Sequence, residues 1–478
     1  MSETAKTTVK ADIAIIGAGS GGLSVAAGAA QMGAKVVLVE KGKMGGDCLN
    51  TGCVPSKALI AAGEAAEAVR ASGTFGVNGH EPEIDFAKVH DHVHDVIAGI
   101  APHDSVERFE GLGVQVIQAA ARFVSDREIA AGDYRIKARR IVVATGSTAF
   151  VPPIPGLAEV PHLTNESIFE LTERPEHLIV VGGGPIGIEL AQAHRRLGSA
   201  VTVIEADTIM NKDDADAVAV VRKRLEAEGV SLHEKSQVQK VERKGNGVAV
   251  MVGAGEDSRR IEGSHLLVAA GRKVNVDGLD LEVAGIDYDR RGIKVDARLR
   301  TSNTRIFAIG DVAGGLQFTH VAGYHAGIVI RNALFNLPAK VDDKAVPWVT
   351  YTDPELAHVG LSEAAAQEKG VEVTAVTFDF AENDRARAER ATDGFIKAVI
   401  GRKGRIVGAT IVGRHAGELI LPWVLAVQKG LKVSDMASII APYPTLGEVS
   451  KRVAGAYYTP SLFSDRTRKV VRAMQYLP

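Results

Sequence analysis

The sequence predicts an α/β fold with two βαβ units, followed by a separate C-terminal α+β domain. Three observations carry this. Glycine is abundant, 51 of 478 residues, and clusters at the ends of apolar β-branched runs. ADIAIIGAGSGGLSVAAGAAQMGAKVVLVEKG reads as strand, glycine turn, small-residue helix and strand, and HLIVVGGGPIGIELAQAHRRLGSAVTVIEAD repeats that order. From about Pro347 no such unit recurs, and FIKAVI and GRIVGATIVG alternate with helical segments such as AGELILPWVLAVQKG.

A chain of 478 residues exceeds what one hydrophobic core usually supports, so about three domains are expected. The Pro-rich stretch Val151 to Pro161 has the character of a crossing between domains. After Gly271 the chain returns to strand-and-turn patterns ending in RIFAIGD. The expected division is therefore a split first domain (1–150 and 271–345), a second domain (151–270) and a third (346–478).

With 56 Lys+Arg against 58 Asp+Glu, no whole-protein field argues for nucleic acid, and small reaction partners are favoured. Two cysteines in the whole chain exclude a secreted-type disulfide framework and point to a reducing compartment, the cytoplasm. MSETAKTTVKADIAIIGAGS lacks the order of a signal peptide, and no segment reaches 18 uninterrupted apolar residues, so neither export nor stable membrane association is expected.

In the first unit Gly17, Gly19 and Gly22 have GxGxxG spacing directly after a strand, which lets a pyrophosphate approach a helix N-terminus. Glu40 closes the next strand, 23 positions after Gly17, where an acidic side chain accepts hydrogen bonds from ribose hydroxyls. The second unit repeats this with Gly182, Gly184, Gly187 and, again 23 positions on, Glu205. Such glycines also serve ordinary helix packing, but two motifs with the same acidic offset argue for two dinucleotide sites. Glu205 repels a 2′-phosphate and no arginine stands beside it in VIEAD, so NAD(H) is favoured over NADP(H).

GGDCLNTGCVPSKAL holds both thiols, Cys48 and Cys53, in CxxxxC spacing among Gly45, Gly46 and Gly52. Five residues of regular helix rise about 7.5 Å, more than the roughly 4.4 to 6.8 Å between disulfide-linked Cα atoms, so the backbone must deviate for the thiols to meet. Glycines permit that deviation, and a helix entered near Cys53 lowers its pKa. The spacing favours a redox role. Buried free thiols and two ligands of a zinc site are the alternatives, the latter without further cysteines to complete a thiolate set.

As a set these motifs resemble the class I pyridine nucleotide-disulfide oxidoreductases, which include dihydrolipoyl dehydrogenase, glutathione reductase and mercuric reductase. The resemblance spans essentially the whole chain and implies two Rossmann-like dinucleotide-binding domains, for FAD and NAD(H), plus a dimerisation domain, in a homodimer. By matching positions, Cys53 is implied to touch the flavin as a charge-transfer thiolate and Cys48 to exchange with the electron acceptor or donor. Lys57 is implied to lie near flavin N5, with Glu189 as its acidic partner. VVATGS, with Ala144, Thr145 and Gly146, resembles the loop leaving the FAD domain, and Asp311 in RIFAIGD the residue that binds the ribityl chain. Thr319 and His320 begin a helix whose positive end is implied to approach flavin O2. Val238 and Gly271 match positions lining the NAD pocket, with ordinary core and turn roles as equal alternatives.

APYPTLGEVSKR resembles the family's interface motif, but Tyr443 stands where relatives acting on dithiols have histidine, while Glu448 keeps the glutamate position. Unperturbed tyrosine, with a pKa near 10, is a poor base at neutral pH but can donate a hydrogen bond. A site around Cys48 completed by Tyr443 and Glu448 of a second subunit is implied, with dihydrolipoyl dehydrogenase as the leading activity. The alternatives are a metal-ion or quinone reductase of mercuric reductase type, though without that enzyme's C-terminal cysteines, and a flavin redox sensor or structural subunit that does not turn over. His90 and His94 share a helix face, but no third ligand is identifiable and a solvated face is expected, with no metal site. ENDRARAER reads as a charged loop or dimer rim, and Arg466 to Arg472 as part of a terminal amphipathic helix.

Overall fold

The computed structural model describes residues 7–253 and 258–475. The first six residues of the N-terminal stretch and the last three of the tail lie outside them. The chain forms two compact units, Met1–Ala206 with Lys235–Val341, and Asp207–Glu234 with Asp342–Pro478.

In the first unit the strand Thr7–Ile16 lies parallel between Val36–Glu40 and Tyr134–Val143, and Ile306–Ala308 joins the same sheet beside Tyr134–Val143. Successive strand side chains point to opposite faces, and both faces are covered. Ile13 and Ile15 enter a core with Leu38, Phe109 and Phe307, whereas Ala14 and Ile16 enter another with Phe123, Ile129 and Ile136. This two-sided burial explains why the predicted strand is a near-continuous apolar run. Helices Ser20–Gln31 and Thr319–Phe335 pack together on this sheet's flank.

The second βαβ unit is built alike. His177–Val181 lies parallel between Ala200–Ile204 and His265–Val268, with helix Pro185–Arg196 as the crossover. An antiparallel sheet of Val238–Lys244, Gly247–Val252 and Arg259–Gly263 covers one face through Val241, Val248 and Val250. The chain crosses into and out of this region side by side: Ser147–Ala149 pairs antiparallel with Arg272–Val274.

The second unit contains a five-stranded sheet packed on helices, with Trp423, Phe380, Ile396 and Ile411 in its core. Its strand Phe395–Ile400 places Lys397 inward, where Nζ meets Asp214 at 2.8 Å and Asp216 at 2.7 Å. Asp214 also caps helix Ala215–Ala227, accepting from the backbone N–H groups of Asp216 and Ala217. The Lys397 and Asp214 side chains are 9% and 8% exposed, so removing Lys397 strands the Asp214 carboxylate away from water, whereas removing Asp214 leaves Lys397 paired with Asp216. Lys397→Ala is expected to lower unfolding free energy by about 3 kcal/mol or more, a cost typical of a broken buried pair. Urea denaturation checks this, and a loss below about 1 kcal/mol, the range of exposed pairs, contradicts it.

Candidate active site around the cysteine pair and two nucleotide loops

Both glycine loops have one construction. Gly17 has φ +106°, and a Cβ on it would run into the Ala144 carbonyl oxygen, while one on Gly22 would run into that of Gly17. Gly182 and Gly187 repeat this against Ala269 and Gly182. The middle glycines differ: a Cβ on Gly19 would meet nothing nearer than Gly46 Cα at 4.0 Å, and one on Gly184 would meet nothing within 4 Å. Each loop therefore exposes bare backbone at the N-terminus of a helix, the surface a pyrophosphate needs. The Glu40 carboxylate accepts from Ala18 N at 2.6 Å, and that of Glu205 from Gly183 N at 2.6 Å, so both acidic residues stand beside their loops.

The residues around the first loop suit a flavin dinucleotide. Thr145 donates to the Asn275 carbonyl at 2.7 Å, and Gly146 O accepts from Asn275 N at 3.0 Å, which fastens the VVATGS turn. Asp311 sits in a 3-10 turn just beyond strand Ile306–Ala308, accepting from Ser147 Oγ at 2.5 Å. Arg272, unremarked in the sequence, ties this region together. Its guanidinium donates to Ser147 Oγ at 2.7 Å and lies 3.2 Å from Asp47 and 3.7 Å from Asp311. Asp47, directly before Cys48, also accepts from Thr51 at 2.9 Å and Asn165 at 3.1 Å. Gly271, with φ +128° and open space around it, directs the chain into Arg272. Val238 is half-buried at the start of its strand, packed on the Val241 core.

The CxxxxC segment deviates from one helix in the expected way. Cys48 lies in the short helix Gly46–Asn50, Thr51 and Gly52 break it, and Cys53 opens the helix Cys53–Ala71. Gly46 has φ +61°, and a Cβ there would meet Gly19 Cα at 2.7 Å, so the turn into Cys48 is pressed directly against the first nucleotide loop. Both cysteines are free thiols. They are unequal: the Cys48 thiol, hydrogen-bonded to Cys53, holds the latter's pKa down at about 6, with help from the Thr319 hydroxyl and the Lys57 charge. Cys53 at the first position of a helix is favoured as thiolate in the same sense. Cys48, bonded to and facing that thiolate and partly buried, is pushed up.

Lys57, one turn along the Cys53 helix, pairs with Glu189 on helix Pro185–Arg196 at 2.8 Å, joining the two nucleotide-type units. Thr319 Oγ1 stands 3.3 Å from Cys53 Sγ, so the N-terminus of helix Thr319–Phe335 points at the thiol, and the exposed His320 ring stacks on Phe318 at 5.2 Å. The structure thus brings Cys48, Cys53, Lys57, Glu189 and Thr319 together. Tyr443 and Glu448 belong to the second unit. There the Tyr443 hydroxyl donates to Asp384 at 3.1 Å, and that carboxylate holds the phenol above its ordinary pKa. Glu448 opens helix Glu448–Ala456 and pairs with Arg452 at 2.8 Å. Asp384 comes from ENDRARAER, so this segment is a short helix, Asp384–Ala388, tied to Tyr443.

Alkylation of the reduced protein by iodoacetamide is expected to rise with a midpoint near pH 6, the Cys53 value, since the thiolate is the nucleophile above its pKa. Cys48→Ala removes the main donor and is expected to move the midpoint upward. A midpoint at an ordinary thiol value of about 8.5 contradicts the assignment.

Comparison with known proteins agrees with this geometry. Residues 11–326 match the pyridine nucleotide-disulphide oxidoreductase family and residues 346–454 its dimerisation domain. Mercuric reductase of Bacillus cereus is 37% identical over 91% of this chain and 70% of its own length. Dihydrolipoyl dehydrogenase of Geobacillus stearothermophilus is 37% identical over 93% of this chain and 96% of its own. Among solved structures, a Cu(II) complex of the HOCl-induced flavoprotein disulfide reductase RclA from Escherichia coli has a TM-score of 0.84 at 29% identity, covering 93% of this chain and 99% of that one. Proteins of this family use FAD and NAD(P)H. No helix among the described residues is long and apolar enough to cross a membrane. The chain belongs to the pyridine nucleotide-disulphide oxidoreductases, a family of FAD-dependent enzymes.

Proposed function

We propose that this protein is a cytoplasmic, homodimeric NADH-linked reductase in which Cys48 and Cys53 pass electrons to a small acceptor. The observation that carries the reading is the inequality of the two thiols, one held as thiolate and the other kept protonated. Bound FAD supplies the chemistry of accepting hydride from NADH and delivering two electrons to the cysteine disulfide. Opening the disulfide takes up those two electrons and leaves the Cys53 thiolate and, with one proton, the Cys48 thiol. Reforming it returns two electrons to the acceptor.

Thr319 and Lys57 stabilise the Cys53 thiolate, and Glu189 holds Lys57 in place from helix Pro185–Arg196. Glu205, bonded to the loop N–H of Gly183, disfavours a 2′-phosphate, which makes NADH the reductant. Cys48 is the exchanging thiol, and Tyr443 and Glu448 of a second subunit complete its surroundings.

Tyr443 decides the acceptor class. A phenol that donates to Asp384 and is held above its ordinary pKa is a weak base at neutral pH, so oxidation of a dithiol lacks its proton acceptor. The reading is a reductase of disulfides, metal ions or quinones. The dihydrolipoyl dehydrogenase reaction is the second reading, favoured by the relative aligned over almost its full length.

Anaerobic NADH is expected to expose two thiols per chain, counted with a chromogenic disulfide, and adding the true acceptor should close them again. No new thiols on reduction would refute the cysteine role. Tyr443→His is expected to raise dihydrolipoamide oxidation by about 100-fold, the lower end of general-base contributions, while the rate with Cu(II) or a quinone stays within about threefold. An already rapid native rate with dihydrolipoamide, unchanged in the variant, would select the second reading.

A further inference from the structure

The solvated helix face expected at His90 and His94 is not fully solvated, and the structure supplies a third donor that the sequence did not reveal. Helix Phe86–Ile100 turns His90 and His94 to one side, ring centroids 4.2 Å apart. Facing them is Glu170, at the end of a short turn anchored by the buried Ile168 and Phe169. One donor atom from each of His90, His94 and Glu170 lies within 4.8 Å of the others, and His94 Nε2 is 3.7 Å from Glu170 Oε2. Donors sharing a tetrahedral zinc at about 2.1 Å stand ~3.4 Å apart, so small rotamer adjustments close the set.

Two further features suit a cation. His90 Nδ1 lies 3.3 Å from Asp91 Oδ1, the outer carboxylate contact that fixes an imidazole and leaves its Nε2 lone pair free to ligate. His94 Nε2 lies 3.3 Å from the Phe169 carbonyl, an additional oxygen beside the same point. Behind the site, His90 shares a recess with Leu59, Phe86, Phe169 and His194. His194 is 1% exposed, and neither of its ring nitrogens has a hydrogen-bond partner among the described residues. Its ring stacks on Phe86 at 5.9 Å. A buried imidazole without a partner is unusual in a finished core and marks the recess as polar on one wall.

We propose that His90, His94 and Glu170 form a binding site for a divalent transition cation of borderline softness, such as Zn(II), distinct from the cysteine pair. Two imidazoles and one carboxylate are a donor set for such ions, not for Ca(II) or Mg(II), and the exposed side keeps a coordination position for water. Neutral imidazole nitrogens and the carboxylate replace water on the ion, His94 binding as the Nδ1–H tautomer so that its Nε2 lone pair faces the ion. The bound ion clips helix Phe86–Ile100 to the 168–170 turn.

The test uses the FAD-loaded Cys48→Ser/Cys53→Ser protein, in which thiols cannot bind the probe. Isothermal titration with Zn(II) is expected to show one site per chain, and Co(II) to give visible bands of nitrogen and oxygen ligation. His94→Ala and Glu170→Gln are each expected to weaken Zn(II) about tenfold or more. His90→Gln keeps a polar side chain and removes the ligand, so a folded variant is available, with flavin content as the check. Binding left unchanged by His90→Gln and His94→Ala, or no saturable Zn(II) binding below about 1 mM, the weak end of specific affinity, overturns the proposal.

Discussion

The site depends on one close approach of backbone to backbone, that of Gly46 to Gly19. The turn that launches the Cys48 helix lies so near the first nucleotide loop that only a residue without Cβ fits between them. Binding geometry and redox geometry are thereby coupled: where the loop holds a pyrophosphate, the thiols stand at a fixed displacement from it. Each of the three glycines around the cysteines has its own close approach, Gly45 to Leu49, Gly46 to Gly19 and Gly52 to Asp47, and the break at Thr51 and Gly52 divides the segment into two helices. Splitting it lets two residues five apart face each other.

Electrostatics then differentiates the thiols. Cys53 begins a 19-residue helix and faces the opening of another, with a lysine one turn away. Lys57 is itself anchored by Glu189, which is nearly buried on the crossover helix of the second nucleotide-type unit. The charge that steadies the thiolate is thus positioned by the second βαβ unit. On the other side, Arg272 gathers Asp47, Ser147 and Asp311, so the strand pair where the chain leaves and re-enters the first sheet also orders the residue preceding Cys48.

In the second unit, Tyr443 and Asp384 form a donor–acceptor pair between the segment before helix Glu448–Ala456 and the helix Asp384–Ala388. The phenol proton is committed to that carboxylate, which holds the phenol above its ordinary pKa. Relatives with two different names, a mercuric reductase and a dihydrolipoyl dehydrogenase, are equally similar to this chain, each 37% identical.

Local chemistry in the sequence was sufficient for the strands, the two glycine loops, Glu40 and Glu205, and the broken helix at the cysteines. Each of these follows from backbone geometry over a span of fewer than about thirty residues, the length of a βαβ unit. Lys57 and Glu189 were legible only through family resemblance, being 132 positions apart, and their 2.8 Å contact needed the packing of two helices. Arg272 beside Asp47, Asp384 beneath Tyr443, and Glu170 opposite His90 and His94 carried no sequence signal. Each joins segments remote in the chain, and a charged residue in a loop looks the same whether it meets water or a partner. By itself the sequence determined which residues can turn, ligate or exchange electrons; the tertiary structure decided which of them meet, because only packing sets distances between segments that no local rule connects.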